Sequence, residues 1–259
     1  MSLDWMELRA SVAMTSTTVL VLLVVFTATF VRSTFGFGEA LVSVPLLALL
    51  IPVPLAAPIA VLLSITVAAA IIAQDWRHIH LRSAMGLLLP TLIGTPLGIL
   101  LLRSSHPAMV KATLAVLIIL FFTYTLAGLS LPELHRDSRA WLSVCGLLAG
   151  VLGGAYGMNG PPLVIYGAMR RWSPQHLRAT LQGYFLPASI FVMAGYGFSG
   201  LWTPAVTHLY LLSLPAALPG LLLGRVANRR LKGKLFLRVV SAGLILAGLV
   251  LLFQTFHSK

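Results

Sequence analysis

The sequence predicts an all-α polytopic membrane protein built from two repeats of about five membrane elements each, the second inverted relative to the first. Three observations predict it. Apolar residues make up 58% of the 259-residue chain and charged residues 9%, where a soluble domain is about a quarter charged. The apolar residues form long continuous runs rather than alternating. That selects helices over a transmembrane barrel, the two forms that satisfy every backbone hydrogen bond in lipid. Finally, two of the runs are too short to cross a bilayer, and each follows a glycine-containing break.

In chain order the apolar runs fall at about 17–35, 40–51, 55–74, 83–102 and 112–129, then at 140–157, 161–169, 178–196, 205–224 and 235–254. This reads as about eight full spans plus two short helices. The polar stretch from Pro132 to Arg139 divides the chain into a first repeat (1–129), a linker (130–139) and a second repeat (140–259). The N-terminal tail, polar through Thr18, carries Asp4 and Glu7 rather than a basic patch, and no small-residue cleavage site follows the first run. It is expected to lead into a retained helix, not a signal peptide. Cys145 is the one cysteine, so neither an internal disulfide nor a cysteine-pair metal site is expected.

The second and seventh runs are a dozen residues or fewer, against the ~20 of a regular span. The first of them follows Gly36-Phe37-Gly38-Glu39; the other follows Gly157-Met158-Asn159-Gly160 and begins with Pro161 and Pro162. Glycine costs a helix interior about 1 kcal/mol relative to Ala and proline about 3 kcal/mol, so both helices are interrupted. Lipid tolerates interruption only where the freed backbone lines a cavity or packs on protein. Pro161 and Pro162 suit the first turn of a new helix, and a helix N-terminus near the midplane attracts an anion. A packed kink without ligand is the plainer alternative.

An offset of 122 residues carries Gly38 onto Gly160, Leu41 onto Leu163, Ala57 onto Ala179, Gly98 onto Gly220 and Arg103 onto Arg225 without a gap. Paired interrupted segments point to a transporter's binding site. Five elements per repeat is odd, so the second repeat is expected to be inverted. With the central linker in the cytoplasm, thirteen Lys and Arg fall inside, among them Arg136, Arg139, Arg170, Arg171 and Arg230. Only Arg9, Arg103, Lys111 and Lys259 fall outside. The excess of basic residues on one side explains the net charge of +12 as positive-inside loops rather than a nucleic-acid surface, and places both termini outside.

Few residues could carry chemistry. Glu39 is the acidic residue expected deepest in the membrane, a candidate for proton coupling because intramembrane carboxylates are costly and usually functional; capping its helix is the structural alternative. Asp75 is expected at the interface beside Arg77. Arg32, seven residues before Glu39, could pair with it, but is expected rather to snorkel to the headgroups. Arg178 opens the helix after the second break as a further possible charge partner, and Gln182 follows one turn on; Ser64 and Thr66 occupy the comparable stretch of the first half. The candidate anion-binding set is Gly36, Gly38, Gly157, Asn159, Gly160, Pro161 and Gln182. Gly197-Phe198-Ser199-Gly200 matches the Gly-x-Ser-Gly of intramembrane rhomboid proteases, but Ser199 falls in an expected extracellular turn and neither His208 nor His257 lies mid-helix downstream. No enzymatic activity and no cofactor are expected.

The block from Gly157 to Tyr166 with Leu177-Arg178-Ala179-Thr180 downstream, and the Gly-Phe-Gly-Glu break of the first half, resemble the sulfite exporter TauE/SafE family across about residues 17–254. The first break carries Glu39 and Ala40 where the family commonly has a Gly-Gly-Gly-type run. The resemblance implies a multi-pass secondary transporter of the inner membrane that moves sulfite, an organosulfonate or a similar small anion. The absence of a Walker motif agrees with transport without ATP hydrolysis. An importing permease and an anion channel are the alternatives, and oligomeric state is open, a homodimer included.

The charge asymmetry makes the first prediction. In a Cys145→Ser background, an impermeant thiol reagent added from outside should label Ser2→Cys or Ser258→Cys and leave Asp137→Cys and Lys232→Cys unmodified. Labelling of the second pair alone would reverse the orientation.

Overall fold

The structure, a computed structural model, describes residues 3–75, 81–104, 106–128, 132–134, 138–230 and 234–257, and these form ten helices with no strand among them. The first half holds α1 (Leu3–Phe35), α2 (Glu39–Ala48), α3 (Val53–Asp75), α4 (Leu81–Leu102) and α5 (Pro107–Ala127). The second holds α6 (Arg139–Tyr156), α7 (Gly160–Met169), α8 (Pro174–Phe198), α9 (Pro204–Arg230) and α10 (Lys234–His257). Seven are long and apolar enough to cross a membrane. At 25 residues α8 is also long enough, but it is more polar because it buries Thr180, Gln182 and Ser189 inside the protein. With α2 and α7 at 10 residues each, the all-α polytopic architecture is the one the sequence predicts.

Boundaries differ in one place of substance. α1 begins at Leu3 rather than near residue 17, because the polar N-terminal stretch contains neither Gly nor Pro and the helix simply continues through it. Residues 76–80 and 135–137 lie outside the described residues, so Trp76, Arg77, Arg136 and Asp137 are not placed. Trp141 and Trp202 are exposed on the outer surface, as interfacial tryptophans should be. Trp172 instead packs edge-on between Tyr166 and His176, at 5.5 and 4.8 Å.

Both interruptions are made by left-handed glycines. Gly36 and Gly38 (φ 86° and 97°) separate α1 from α2, and Gly157 (φ 67°) ends α6, a conformation that costs a residue with a Cβ about 1–2 kcal/mol. The N–H of Leu134 donates to the carbonyl of Met169 (2.9 Å), so α7 folds back toward the start of α6.

Two helix pairs approach unusually closely. A Cβ on Gly150 or Gly154 of α6 would stand 2.2 Å from the carbonyl oxygen of Thr91 or Thr95 of α4, and one on Gly94 or Gly98 would meet the carbonyls of Leu147 and Val151 at 2.2 and 2.1 Å. In α1 and α9, Gly220 and Gly224 press on the carbonyls of Phe26 and Phe30 at 2.7 and 2.5 Å. Residue numbers rise together along both contacts, so each pair runs parallel. Small residues are what let membrane helices close this tightly, since burial from lipid offers no hydrophobic gain. Polar bonds fasten the same seams: the Thr91 hydroxyl donates to Gly146 (2.9 Å) and that of Ser33 to Leu221 (2.7 Å), and the Asn228 amide reaches the Thr34 carbonyl.

The closest contacts between the long helices map onto one another when the halves are exchanged. Swapping α1 with α6 and α4 with α9 turns one close pair into the other, while α3 against α8 and α5 against α10 map onto themselves. The short helices and the long helices after them begin 121 residues apart, Glu39 with Gly160 and Val53 with Pro174. Structurally, then, Gly38 and Asn159 are the equivalent N-caps, one position off the 122-residue register that aligns the glycines.

The seams generate the second prediction. Gly150→Val should cost about 1–3 kcal/mol by forcing α4 and α6 apart, read as a lower melting temperature in detergent. Gly243→Ala, where a Cβ meets nothing within 4 Å, should melt at or slightly above the parent.

Candidate functional site

The two breaks face each other across a cavity of about 20 Å³ lined by Arg32, Glu39 and Leu41, by Ser64, and by Gly157 through Gly160 with Phe185. That volume holds about one water molecule, too little for an oxyanion in this conformation. Its residues come from the end of α1, the start of α2, the middle of α3 and α8, and the turn before α7.

A buried ion pair organises it. The Arg32 Nη1 donates to Glu39 Oε2 at 2.7 Å and to the Ser64 hydroxyl at 2.7 Å, and both charged side chains are at least 97% buried. The guanidinium lies 4.9 Å from the centre of the Phe185 ring, and Ser189 donates to Ser64 at 3.2 Å. Arg32 therefore pairs with Glu39 rather than reaching the headgroups. The kink of Gly36 and Gly38 makes the meeting possible, because it turns α2 back so that its first residue faces the last turn of α1.

The pairing is incomplete. Among the described residues, Arg32 Nε and Nη2, Glu39 Oε1 and Asn159 Nδ2 are buried without a hydrogen-bond partner. Unsatisfied buried polar atoms are rare in folded proteins and call for an explanation. Here four such atoms fall within one small space, three of them donors.

The other expected residues divide around this centre. Gly38, Gly157, Asn159 and Gly160 line the cavity with Arg32 and Glu39. Gly36 and Gln182 sit beside it and bond to each other, Gln182 Nε2 donating to the Gly36 carbonyl at 2.9 Å. Arg178 folds over Gly36 so closely that a Cβ there would stand 2.6 Å from its Cγ, and its Nη2 reaches the Ser33 carbonyl at 3.4 Å. Pro161 is buried in the first turn of α7. Asn159 makes no side-chain cap; its amide fills the space that a side chain on Gly153 would take.

The two short helices are unequal in the N–H donors that their first turns offer. Pro161 and Pro162 lack N–H groups, so the first turn of α7 keeps few donors. Glu39, Ala40 and Leu41 keep all of theirs at the start of α2, where the first helical bond, Val42 to Gly38, comes only afterwards (3.1 Å). Phe185 and Ser189 were not anticipated; Phe185 lies three residues past Gln182, on the same helix face, which was the available signal. Of the polar pair in α3, Ser64 enters the site and Thr66 bonds instead to Tyr210 (2.7 Å). The Ser199 hydroxyl donates to the Gly195 carbonyl of its own helix at 2.7 Å, as a helix-end serine does. A wider, mostly apolar cleft of about 950 Å³ opens at the far end of α2, between Pro54, Lys111 and Phe253, where Lys111 donates to Gln254 at 2.7 Å.

Comparison with known proteins agrees with this architecture. The family model described as sulfite exporter TauE/SafE matches residues 21–251. The probable sulfite/organosulfonate exporter TauE of Cupriavidus necator is 25% identical over 193 residues, which cover 74% of this chain and 75% of that protein. No solved structure matches.

The buried pair makes the third prediction. Arg32→Leu or Glu39→Leu alone strands a buried charge and should cost about 3–5 kcal/mol. The double substitution should recover most of that stability. Thermal unfolding of the three purified variants in detergent measures it; a double variant as unstable as the singles would mean that the pair is not a closed electrostatic unit.

Proposed function

The chain belongs to the sulfite exporter TauE/SafE family, and on that premise we propose that it is a secondary carrier that exports a small oxyanion, sulfite or an organosulfonate, across the inner membrane with its flux coupled to the proton gradient. The observation that carries this reading is the buried guanidinium with unpartnered N–H groups where two interrupted helices meet. A charge deep among membrane helices marks a substrate or ion path. This one is bordered by the donor-rich start of α2, and helix N-termini of this kind bind anionic groups in carriers with discontinuous helices.

In this reading the halves 1–129 and 140–259, joined by the linker 130–139, are inverted repeats that rock about the site. The exchange-symmetric packing supports it: α1 runs parallel to α9, and α4 parallel to α6. The starts of α4, α6 and α8 and the ends of α7 and α9, where Arg82, Arg139, Arg170, Arg171 and Arg225 sit, share one end of the bundle, which the positive-inside rule makes cytoplasmic, with both termini periplasmic. A cavity of about one water volume favours alternating access over a channel, which needs a continuous path. The acidic residue at the site, Glu39, is the proton carrier.

Proteoliposomes test the proposal. Purified protein should move sulfite saturably and faster under an imposed proton gradient. Gly160→Val should abolish flux by filling the space before α7. Asn159→Ala should weaken sulfite affinity by about ten- to a hundredfold, the value of one donor to a charged acceptor. Glu39→Gln, which cannot release a proton, should still bind substrate but lose gradient-driven flux; normal driven flux in Glu39→Gln would leave Glu39 as a helix cap.

A further inference from the structure

Arg32 uses only one of its nitrogens. Nη1 makes both bonds, to Glu39 and to Ser64, while Nε and Nη2, which form the two-pronged side of the guanidinium, are buried and unpartnered among the described residues. That side is the one that matches two oxygens of a planar or pyramidal oxyanion, which is why Arg rather than Lys serves where bidentate recognition is needed. Glu39 is held by a single oxygen, and its Oε1 is likewise unpartnered. A purely structural buried pair would be expected to satisfy both groups, since a half-made one costs more than it returns.

We infer that the Nε and Nη2 side of Arg32 is the seat of the transported oxyanion, and that the anion occupies it only while Glu39 carries a proton. The inference rests on the anion-carrier reading above and names the residue and the coupling at that same site. Its second half follows from charge. With Glu39 ionised, Arg32 is already neutralised, and an anion would add an uncompensated negative charge to a buried site. With Glu39 protonated, one cation meets one anion, and the protonated carboxyl can still hydrogen-bond. Two oxygens of the anion accept N–H donors from Arg32; a proton taken up from water forms an O–H bond on a Glu39 carboxylate oxygen and is released when the anion leaves, so the two cross together and export runs on the anion's own outward gradient.

The groups facing Glu39 leave it as the titrating element. They are Arg32 from α1, Ser64 from α3, Phe185 from α8 and Asn159 before α7. Of the residues lining the cavity, only Arg32 and Glu39 carry charge. Arg178, the next charged side chain, lies over Gly36, and the Tyr184 hydroxyl is shared with Thr91 at 2.8 Å.

Isethionate, a sulfonate whose own charge is constant from acid to alkaline pH, separates protein titration from ligand titration. Binding to the purified protein, measured by calorimetry across that range, should weaken about tenfold per pH unit once Glu39 is ionised, the slope of one linked proton. Calorimetry in buffers of different ionisation heat should show uptake of one proton per isethionate bound. Glu39→Gln should bind at least as tightly as the parent does in acid, without pH dependence. Arg32→Lys, which keeps the charge but not the fork, should bind about tenfold or more weakly at every pH. A parental pH profile in Glu39→Gln, parental affinity in Arg32→Lys, or no proton uptake by the unmodified protein overturns the inference while the carrier reading stands. If the unmodified protein binds neither isethionate nor sulfite at any pH, the carrier reading fails and the inference with it.

Discussion

Everything at the centre of this protein depends on one buried ion pair that is left half-made. Placing a guanidinium and a carboxylate among membrane helices costs several kcal/mol per ion, and two hydrogen bonds from a single Arg32 nitrogen do not return all of it. The fold meets the cost with geometry. Gly36 and Gly38 turn the chain so that residues seven apart in sequence face each other across 2.7 Å. Ser64 and Phe185 then close the site from two further helices, the serine as an acceptor and the ring as a polarisable face.

The tight seams follow from the same demand. A short helix of 10 residues cannot anchor itself across the bilayer, so α2 and α7 must be held by the long helices around them. Glycines at four-residue spacing in α6, meeting glycines at the same spacing in α4, bring two backbones to within contact. The α1 and α9 seam repeats the solution with Gly220 and Gly224. Close parallel pairs are rigid, and rigidity in the frame is what allows the breaks to be irregular. Outward faces carry large apolar residues, such as Leu89, Ile93 and Leu100 on α4, more than 60% exposed, as a lipid-facing surface should.

The fold was legible because bilayer thickness and backbone satisfaction leave few choices. Run length alone separated eight long helices from two short ones, and glycines placed both breaks. The site was legible only in part. Glu39, Gly38, Gly157, Asn159 and Gly160 stand out because charge, amide and broken backbone are rare in apolar sequence, and all five line the cavity. That Arg32 pairs rather than snorkels was not read from the sequence, since both outcomes fit a long side chain near a helix end; the direction of α2 after the kink decides it. Gln182 bonds the Gly36 carbonyl beside the cavity, while Phe185, one turn further along the same face of α8, lines it. The offset of 122 matched glycine with glycine, whereas the helices themselves start 121 apart. Identity of residue type and equivalence of position are different constraints, and at the breaks they diverge.

That divergence makes the two breaks chemically unequal. At equivalent N-caps stand Gly38 and Asn159, followed by Glu39 in one half and Gly160 in the other. The first half contributes the charges and a helix start rich in N–H donors. The second contributes a neutral amide and a start in which Pro161 and Pro162 have removed donors. A site with two donor-rich helix ends and an unopposed arginine would hold an oxyanion too firmly to release it, since each charged hydrogen bond is worth about 1.5–3 kcal/mol. In the proposed cycle Glu39 supplies the competing negative charge, so the site would be close to neutral both empty, with the carboxylate on Arg32, and loaded, with a proton on Glu39 and an anion in the fork. Two states of equal charge meet the same electrostatic barrier on moving across the membrane, which is the condition for a carrier to cycle in both directions rather than stall in one.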